Sequence, residues 1–333
     1  MDHPLSPYTP PPRNTLTRPT DLPPLSHYFS DEEFRRGHPD PGTPIYHSAE
    51  HSRLVRLLAF ELAKADGLEA PQTLFVSEVA LLHDWDPERV MGSPARVPTT
   101  IRRLARDFVG KRPLLSSVPT GTSLLKTRFH WTKSQLNMAI AMIYRTEFPF
   151  EGAHSNPYYY RTSPAERYRR SLRILDPNSR RFVLRQAPLL AKYADQMSWY
   201  ATQPFLITLR AVEGLVEELN HRAPTGSSSS RRLRPSLPKV TTQELNTTGF
   251  LCGISDPRSL EVDLRIADEL GVHDLKLPSQ DEILTSLPEV YRRTFHANHA
   301  AFNAYDHALT LDQTELEAKR VGLATFHREL AQS

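Results

Sequence analysis

Apolar residues along this chain recur at intervals of three and four, and alternation with period two hardly appears. Leu54, Leu58 and Leu62 form one such stripe, and Leu260, Leu264, Ala267 and Leu270 form another; each lines one face of an α-helix. Capping boxes punctuate the pattern at Thr132-x-x-Gln135, Ser163-Pro164-x-Glu166, Thr241-x-x-Glu244 and Ser279-x-x-Glu282. Asp176-Pro177 and Asp256-Pro257 each place a cap before a proline at the first helical position. The chain is therefore expected to be all-α. Helices are predicted near 46–66, 72–84, 98–109, 132–146, 163–174, 177–201 and 204–221, and again near 241–247, 257–270, 279–308 and 311–330. Pro188 should kink the helix that contains it, and Pro288 should interrupt the penultimate one.

Punctuation divides the chain further. Of its 29 prolines, eleven precede residue 45, in a stretch poor in aliphatic residues. Residues 1–40 are therefore predicted to be a disordered or polyproline-like arm. A helical domain is predicted over 41–221, a linker or exposed loop over 222–240, and a helical extension over 241–333. The sequence from Ala223 to Pro238 is rich in Ser, Pro and Arg, which marks the linker.

Composition narrows the setting more than the function. No run approaches the roughly 18 apolar residues of a membrane span. The first residues carry neither a basic region nor an apolar core, so no secretory signal is expected. The single Cys252 excludes an internal disulfide and fits a reducing compartment, so a cytoplasmic location is expected. A formal charge of +3 gives no strong nucleic-acid signal. There is no Gly-rich phosphate loop, which disfavours chemistry driven by nucleoside triphosphates. The sequence does not specify an oligomeric state.

Candidate chemistry gathers in three places. Ala80-Leu81-Leu82-His83-Asp84-Trp85-Asp86-Pro87 runs an apolar helix into a His-Asp pair. A carboxylate at the end of a buried helix costs several kcal/mol unless a cation or donors compensate. In Tyr46-His47-Ser48-Ala49-Glu50-His51 the two histidines are four apart, so a helix would stack both imidazoles at the end of the Leu54, Leu58 and Leu62 stripe. Asp195 falls among Ala191, Ala194 and Met197, where a hard oxygen ligand has a purpose and a lone aspartate has none.

In order and residue type, His51, His83-Asp84 and Asp195 resemble the H…HD…D pattern of the HD-domain metal-dependent phosphohydrolases. The similarity covers roughly residues 41–220. Tyr46-His47-x-x-x-His51 is also similar to the opening motif of cyclic-nucleotide phosphodiesterases, and His83-Asp84-x-Asp86 to the HDxD of that branch. The resemblance implies an HD-type helical bundle with a divalent ion held by His51, His83, Asp84 and Asp195. The ion's identity (Mn, Mg, Fe, Co, Ni or Zn) is not distinguished. A second metal bridged by Asp84 stays open, although only His130 and His154 lie between the His-Asp pair and Asp195. Both of those read better as surface or capping residues.

By the same resemblance His47 and Asp84 are the catalytic candidates. His47 would protonate a leaving oxygen, or else hydrogen-bond a ligand carboxylate from outside the coordination shell. Asp86 would orient a ligand histidine or cap the turn before Pro87. Arg96, Thr146 and Glu147 are candidate substrate contacts: a guanidinium clamp on phosphate, and two groups at a helix end that matches the family loosely. Each also has an ordinary structural explanation. The implied activity is hydrolysis of a phosphomonoester or phosphodiester, a nucleotide among the candidates. The competing classes are a non-catalytic HD-fold module that binds a nucleotide or protein, and a di-iron oxygenase of the histidine-rich branch, which the shortage of histidines disfavours.

Overall fold

A computed structural model describes residues 16–38, 46–87, 97–115, 117–147, 163–220 and 258–332. Among these residues there is no strand, and the chain is all-α. The helices are α1 Leu25–Tyr28, α2 Asp31–Gly37, α3 Ala49–Ala65, α4 Ala70–Leu82, α5 Val97–Phe108, α6 Leu124–Thr127, α7 Lys133–Arg145, α8 Pro164–Arg173 and α9 Pro177–Pro188. They continue as α10 Gln196–Thr202, α11 Phe205–Asn220, α12 Arg258–Glu269, α13 Gln280–Ser286, α14 Glu289–Thr310 and α15 Glu315–Gln332. The helix predicted near 241–247 and the whole of the predicted linker lie outside the described residues.

Local chemistry sets the boundaries. Thr132 and Ser279 form the expected capping boxes, and Ser163 and Asp176 accept amide hydrogen bonds at the starts of α8 and α9. Pro288 separates α13 from α14, where its missing N–H falls outside both helices. Pro188 ends the α-helical pattern of α9. The helix runs on, but from Leu189 to Asp195 it is π-helical, before α10 resumes the α pattern. The wider turn accommodates a proline that has no N–H to close an α-turn.

The stripe of Leu54, Leu58 and Leu62 is buried as the period predicts. It packs α3 against α4, which is buried on all sides from Phe75 to Leu82 and runs through the centre. The π-helical segment crosses the same end of α3, while α7 lies against α8 and α9. The C-terminal helices join this core. Tyr200 of α10 meets Phe302 of α14 at 5.2 Å between ring centres, and the Asn298 amide donates to the carbonyls of Tyr200 and Gln203 at 2.8 and 2.7 Å. Arg145 grips Asp263 of α12 through a fully buried bidentate pair at 2.8 Å. The helices on both sides of the predicted linker therefore share one hydrophobic cluster.

The proline-rich arm needs correction. Residues 1–15 lie outside the described residues, but 16–38 are packed, with Tyr28, Phe29 and Phe34 at most 1% exposed. Phe29 stacks on Trp85 at 5.0 Å, and a Cβ on Gly37 would sit 2.3 Å from the Trp85 ring. Four aromatic rings thus outweigh the breaking effect of the prolines.

One buried acid in this wall titrates in an accessible range. Glu78 of α4 accepts from Tyr28 Oη at 2.6 Å and Trp131 Nε1 at 2.7 Å. Burial still pushes its carboxyl up to about 7, against those two hydrogen bonds and the charge of Arg56. Because the folded pKa lies above the unfolded one, its contribution to stability is full below about 4.5 and is lost as pH rises through about 7. Glu78→Gln keeps an acceptor for Trp131 and a donor for Tyr28 but has no charge to lose. Urea unfolding of the two proteins from pH 5 to 8 should show the wild type losing about 3 kcal/mol more than the variant. Parallel profiles would contradict this.

Candidate metal centre

Each side chain of the cluster is set by its own stretch of backbone. Ser48 is extended, and its hydroxyl accepts from the His51 amide at 3.2 Å, so α3 starts at Ala49. His47 therefore lies in the turn before the helix, not on it as the i, i+4 spacing predicts. The two rings still meet edge to face, 5.5 Å apart. His83 caps the C-terminus of α4, and Asp84 follows in the next turn. Asp195 ends the π-helical segment.

These elements bring the donor atoms together. One ligand atom each from His51, His83 and Asp195 lies within 4.8 Å of the others. His51 Nε2 is 3.0 Å from Asp195 Oδ1, and His83 Nε2 is 3.8 Å from the same oxygen. Asp84 Oδ2 is 3.1 Å from His83 Nε2 and 3.7 Å from His51 Nε2, which makes it the fourth member beside the tight triplet. Donors held about 2.0–2.3 Å from a shared cation stand roughly 3–4 Å from one another. The spacing fits.

Hydrogen bonding on the far side of each ring sets the tautomers. His83 Nδ1 lies 2.6 Å from the Ala80 carbonyl, which only accepts, so Nδ1 carries the proton. The Ser198 hydroxyl donates to the Asp195 carbonyl at 2.9 Å and so accepts from His51 Nδ1 at 3.1 Å. Both imidazoles thus turn an Nε2 lone pair inward. Both Nε2 atoms and Asp84 Oδ2 are buried without a hydrogen-bond partner. Three orphaned buried polar atoms this close together are costly in a protein interior and suit a cation.

The electrostatics agree. Burial works against a charged Asp84, but His83 and then His47 beside it hold its carboxyl well below the usual carboxylate range. Burial also disfavours a charged His83, yet Asp84 and Asp195 raise it to about 9. Burial lowers His51, and the neighbouring Asp195 carboxylate offsets this only in part. An ion-free cluster therefore keeps its extra proton on His83, where a cation would otherwise balance the carboxylates. His51 and His83 are sealed, whereas the Asp195 side chain is 13% exposed and His47 half-buried. The cluster opens on that side.

Other candidates fall elsewhere. Arg96 and His154 lie outside the described residues. Thr146 is taken up by the end of α7, where its hydroxyl donates to the Ile143 carbonyl at 2.9 Å, and Glu147 is ion-paired with Arg167. Neither bonds to the cluster, and each has a local partner at this helix end. His130 is an exposed residue in left-handed backbone with φ 55° before α7. The Asp86 amide donates to the Gly37 carbonyl at 2.9 Å, which ties the His-Asp turn to α2.

Two supports were not foreseen. Ser198 sits three residues after Asp195, a spacing that puts it on the same helix face but gives no hint of a partner on α3. Trp199 lies parallel to His51 at 6.4 Å, and its Nε1 donates to the Tyr46 carbonyl at 3.3 Å. Tyr46 Oη in turn reaches the carbonyls of Asp195 and Gln196, both at 3.3 Å.

No family model, curated protein or solved structure matches this chain. No helix among the described residues is long and apolar enough to cross a membrane.

Proposed function

We propose that the chain is a metal-dependent phosphohydrolase of the HD type, acting on a small phosphomonoester or phosphodiester such as a nucleotide. The observation that carries this is the convergence of two imidazole Nε2 atoms and two carboxylates, 3.0–3.8 Å apart, with the nitrogens unpartnered and the rings locked from behind. The chain order of these residues, His, His-Asp, Asp, supports the family reading. A bound divalent ion supplies Lewis acidity and lowers the pKa of water.

The chain's own groups do the rest. His51, His83, Asp84 and Asp195 hold the ion, and the two carboxylates balance its charge. Ser198 and the Ala80 carbonyl keep the imidazoles in the ligating tautomer. Trp199 and Tyr46 close off water behind His51. His47, on the open side, is placed to give a proton to the leaving oxygen.

The test is metal analysis of protein purified without chelator, followed by a screen of cyclic and linear nucleotides, nucleoside monophosphates and an aryl phosphate with Mn²⁺ or Mg²⁺. Folded, metal-loaded protein that turns over none of these would favour a non-catalytic binding module. For the active protein, His47→Ala should retain metal and slow turnover roughly 10²-fold or more. Metal loss equal to that of His51→Ala would make His47 a ligand instead.

A further inference from the structure

The formal charge of +3 hides an uneven distribution. Between Val97 and Gln135, eight of the chain's 41 Lys and Arg stand against one of its 38 Asp and Glu, Asp107. That carboxylate is fully buried and is occupied by the amides of Leu114, Leu124 and Leu125 and the hydroxyl of Ser123. It does not balance the surface, where Arg102, Arg106, Lys111, Arg112, Lys126 and Lys133 are all exposed.

Packing gathers these cations. Arg102 and Arg106 are one turn apart on α5. The chain then folds back, and the amides of Lys111 and Arg112 both donate to the Arg106 carbonyl, at 2.9 and 3.3 Å. From the other side, Lys126 and Lys133 place Nζ 4.5 and 5.7 Å from the ring centre of Phe108, the last residue of α5. Three segments thus deliver basic groups to one helix end. Among the described residues Arg102, Arg106, Lys111, Lys126 and Lys133 form no ion pair. A helix C-terminus carries roughly half a negative charge, which one cation satisfies. Each further cation repels the others and lowers stability.

We propose that this face docks the phosphate backbone of a nucleic acid without reading its sequence. The cations are exposed, and Glu33 of α2, which reaches the segment through Ser117 and lies beside Arg128, forms no ion pair with Arg102, Arg106, Lys111, Lys126 or Lys133. Phe108, Phe129 and Trp131 are buried, which leaves the His130 imidazole as the one exposed ring of the segment, so contact falls chiefly to the phosphates. An anionic membrane fits less well, because Val109 is the one large apolar side chain exposed here and an inserting face needs several.

The experiment uses the full chain and does not depend on the metal centre. Fluorescence anisotropy follows binding to a labelled 20-base-pair DNA duplex and a 20-nucleotide RNA strand at 50 and 200 mM salt. Wild type should bind, with affinity falling steeply as salt rises. The triple variant Lys111→Gln, Lys126→Gln, Lys133→Gln should bind at least tenfold more weakly at 50 mM salt, with a salt slope shallower by about 2–3. A triple Lys→Arg variant should bind as wild type does, and circular dichroism should show both variants folded. Absence of wild-type binding at 50 mM salt would overturn the proposal, as would equal binding by the Gln variant. So would co-sedimentation with phosphatidylserine vesicles in place of nucleic-acid binding.

Discussion

Asp84→Ala protein should emerge from purification folded, free of metal and inactive. Asp84 Oδ2 approaches both ligand imidazoles, at 3.1 and 3.7 Å, so its removal opens the first coordination shell. Supporting residues outside such a shell cost about 10–100-fold in metal affinity, and a ligand should cost at least the upper end of that range. The fold has little stake in this carboxylate: Asp84 Oδ2 makes no hydrogen bond, and α3, α4 and the π-helical segment are joined by a large apolar core. Unfolding makes the contrast quantitative. Wild type should gain about 2.7 kcal/mol when metal is present at 100 times its Kd, while the variant should gain nothing at that concentration. Stoichiometric metal in the variant would remove Asp84 from the ligand set.

Asp107→Ala should have the largest effect on stability alone. Its carboxylate is fully buried and accepts from Leu114 N at 2.8 Å, Leu125 N at 2.9 Å, Ser123 Oγ at 3.1 Å and Leu124 N at 3.2 Å. It thereby fixes the loop after α5 and the first turn of α6 in a single grip. Deleting it strands several buried donors, each costing about 1–3 kcal/mol when unsatisfied, so a loss of about 4 kcal/mol in urea unfolding is expected after relaxation. Asp107→Asn retains one acceptor oxygen and should lose less than the alanine variant. A loss under about 1 kcal/mol for Asp107→Ala would mean that the loop holds itself by packing.

Helix identity was legible because period and caps agree. The starts of α7, α8 and α9 fall within a residue of those predicted from Thr132, Ser163 and Asp176. The members of the cluster were legible too, since His51, His83, Asp84 and Asp195 are residue types that burial alone does not explain. What stayed hidden was every feature that depends on a distant partner. Arg145 and Asp263 are 118 residues apart, and nothing local marks either as half of a buried pair. Nothing local marks Asp107 as the acceptor of four hydrogen bonds from the loop after α5 and the start of α6. The packing of residues 16–38 was masked by proline content, a signal about backbone freedom that says nothing of three aromatic rings finding Trp85 and its neighbours.

The π-helical segment between Leu189 and Asp195 makes the position of one member of the cluster a matter of helix type. Such a turn holds more residues than an α-turn, so a segment of the same length drawn into α-helix would wind further. Everything on one side would then rotate by roughly 100° relative to the other. Asp195 would swing away from His51 although no residue of the cluster had changed. The wide turn is thus a spacer between two registers: one buries Val183, Leu184 and Ala187 in the core, and the other points a carboxylate at two imidazoles.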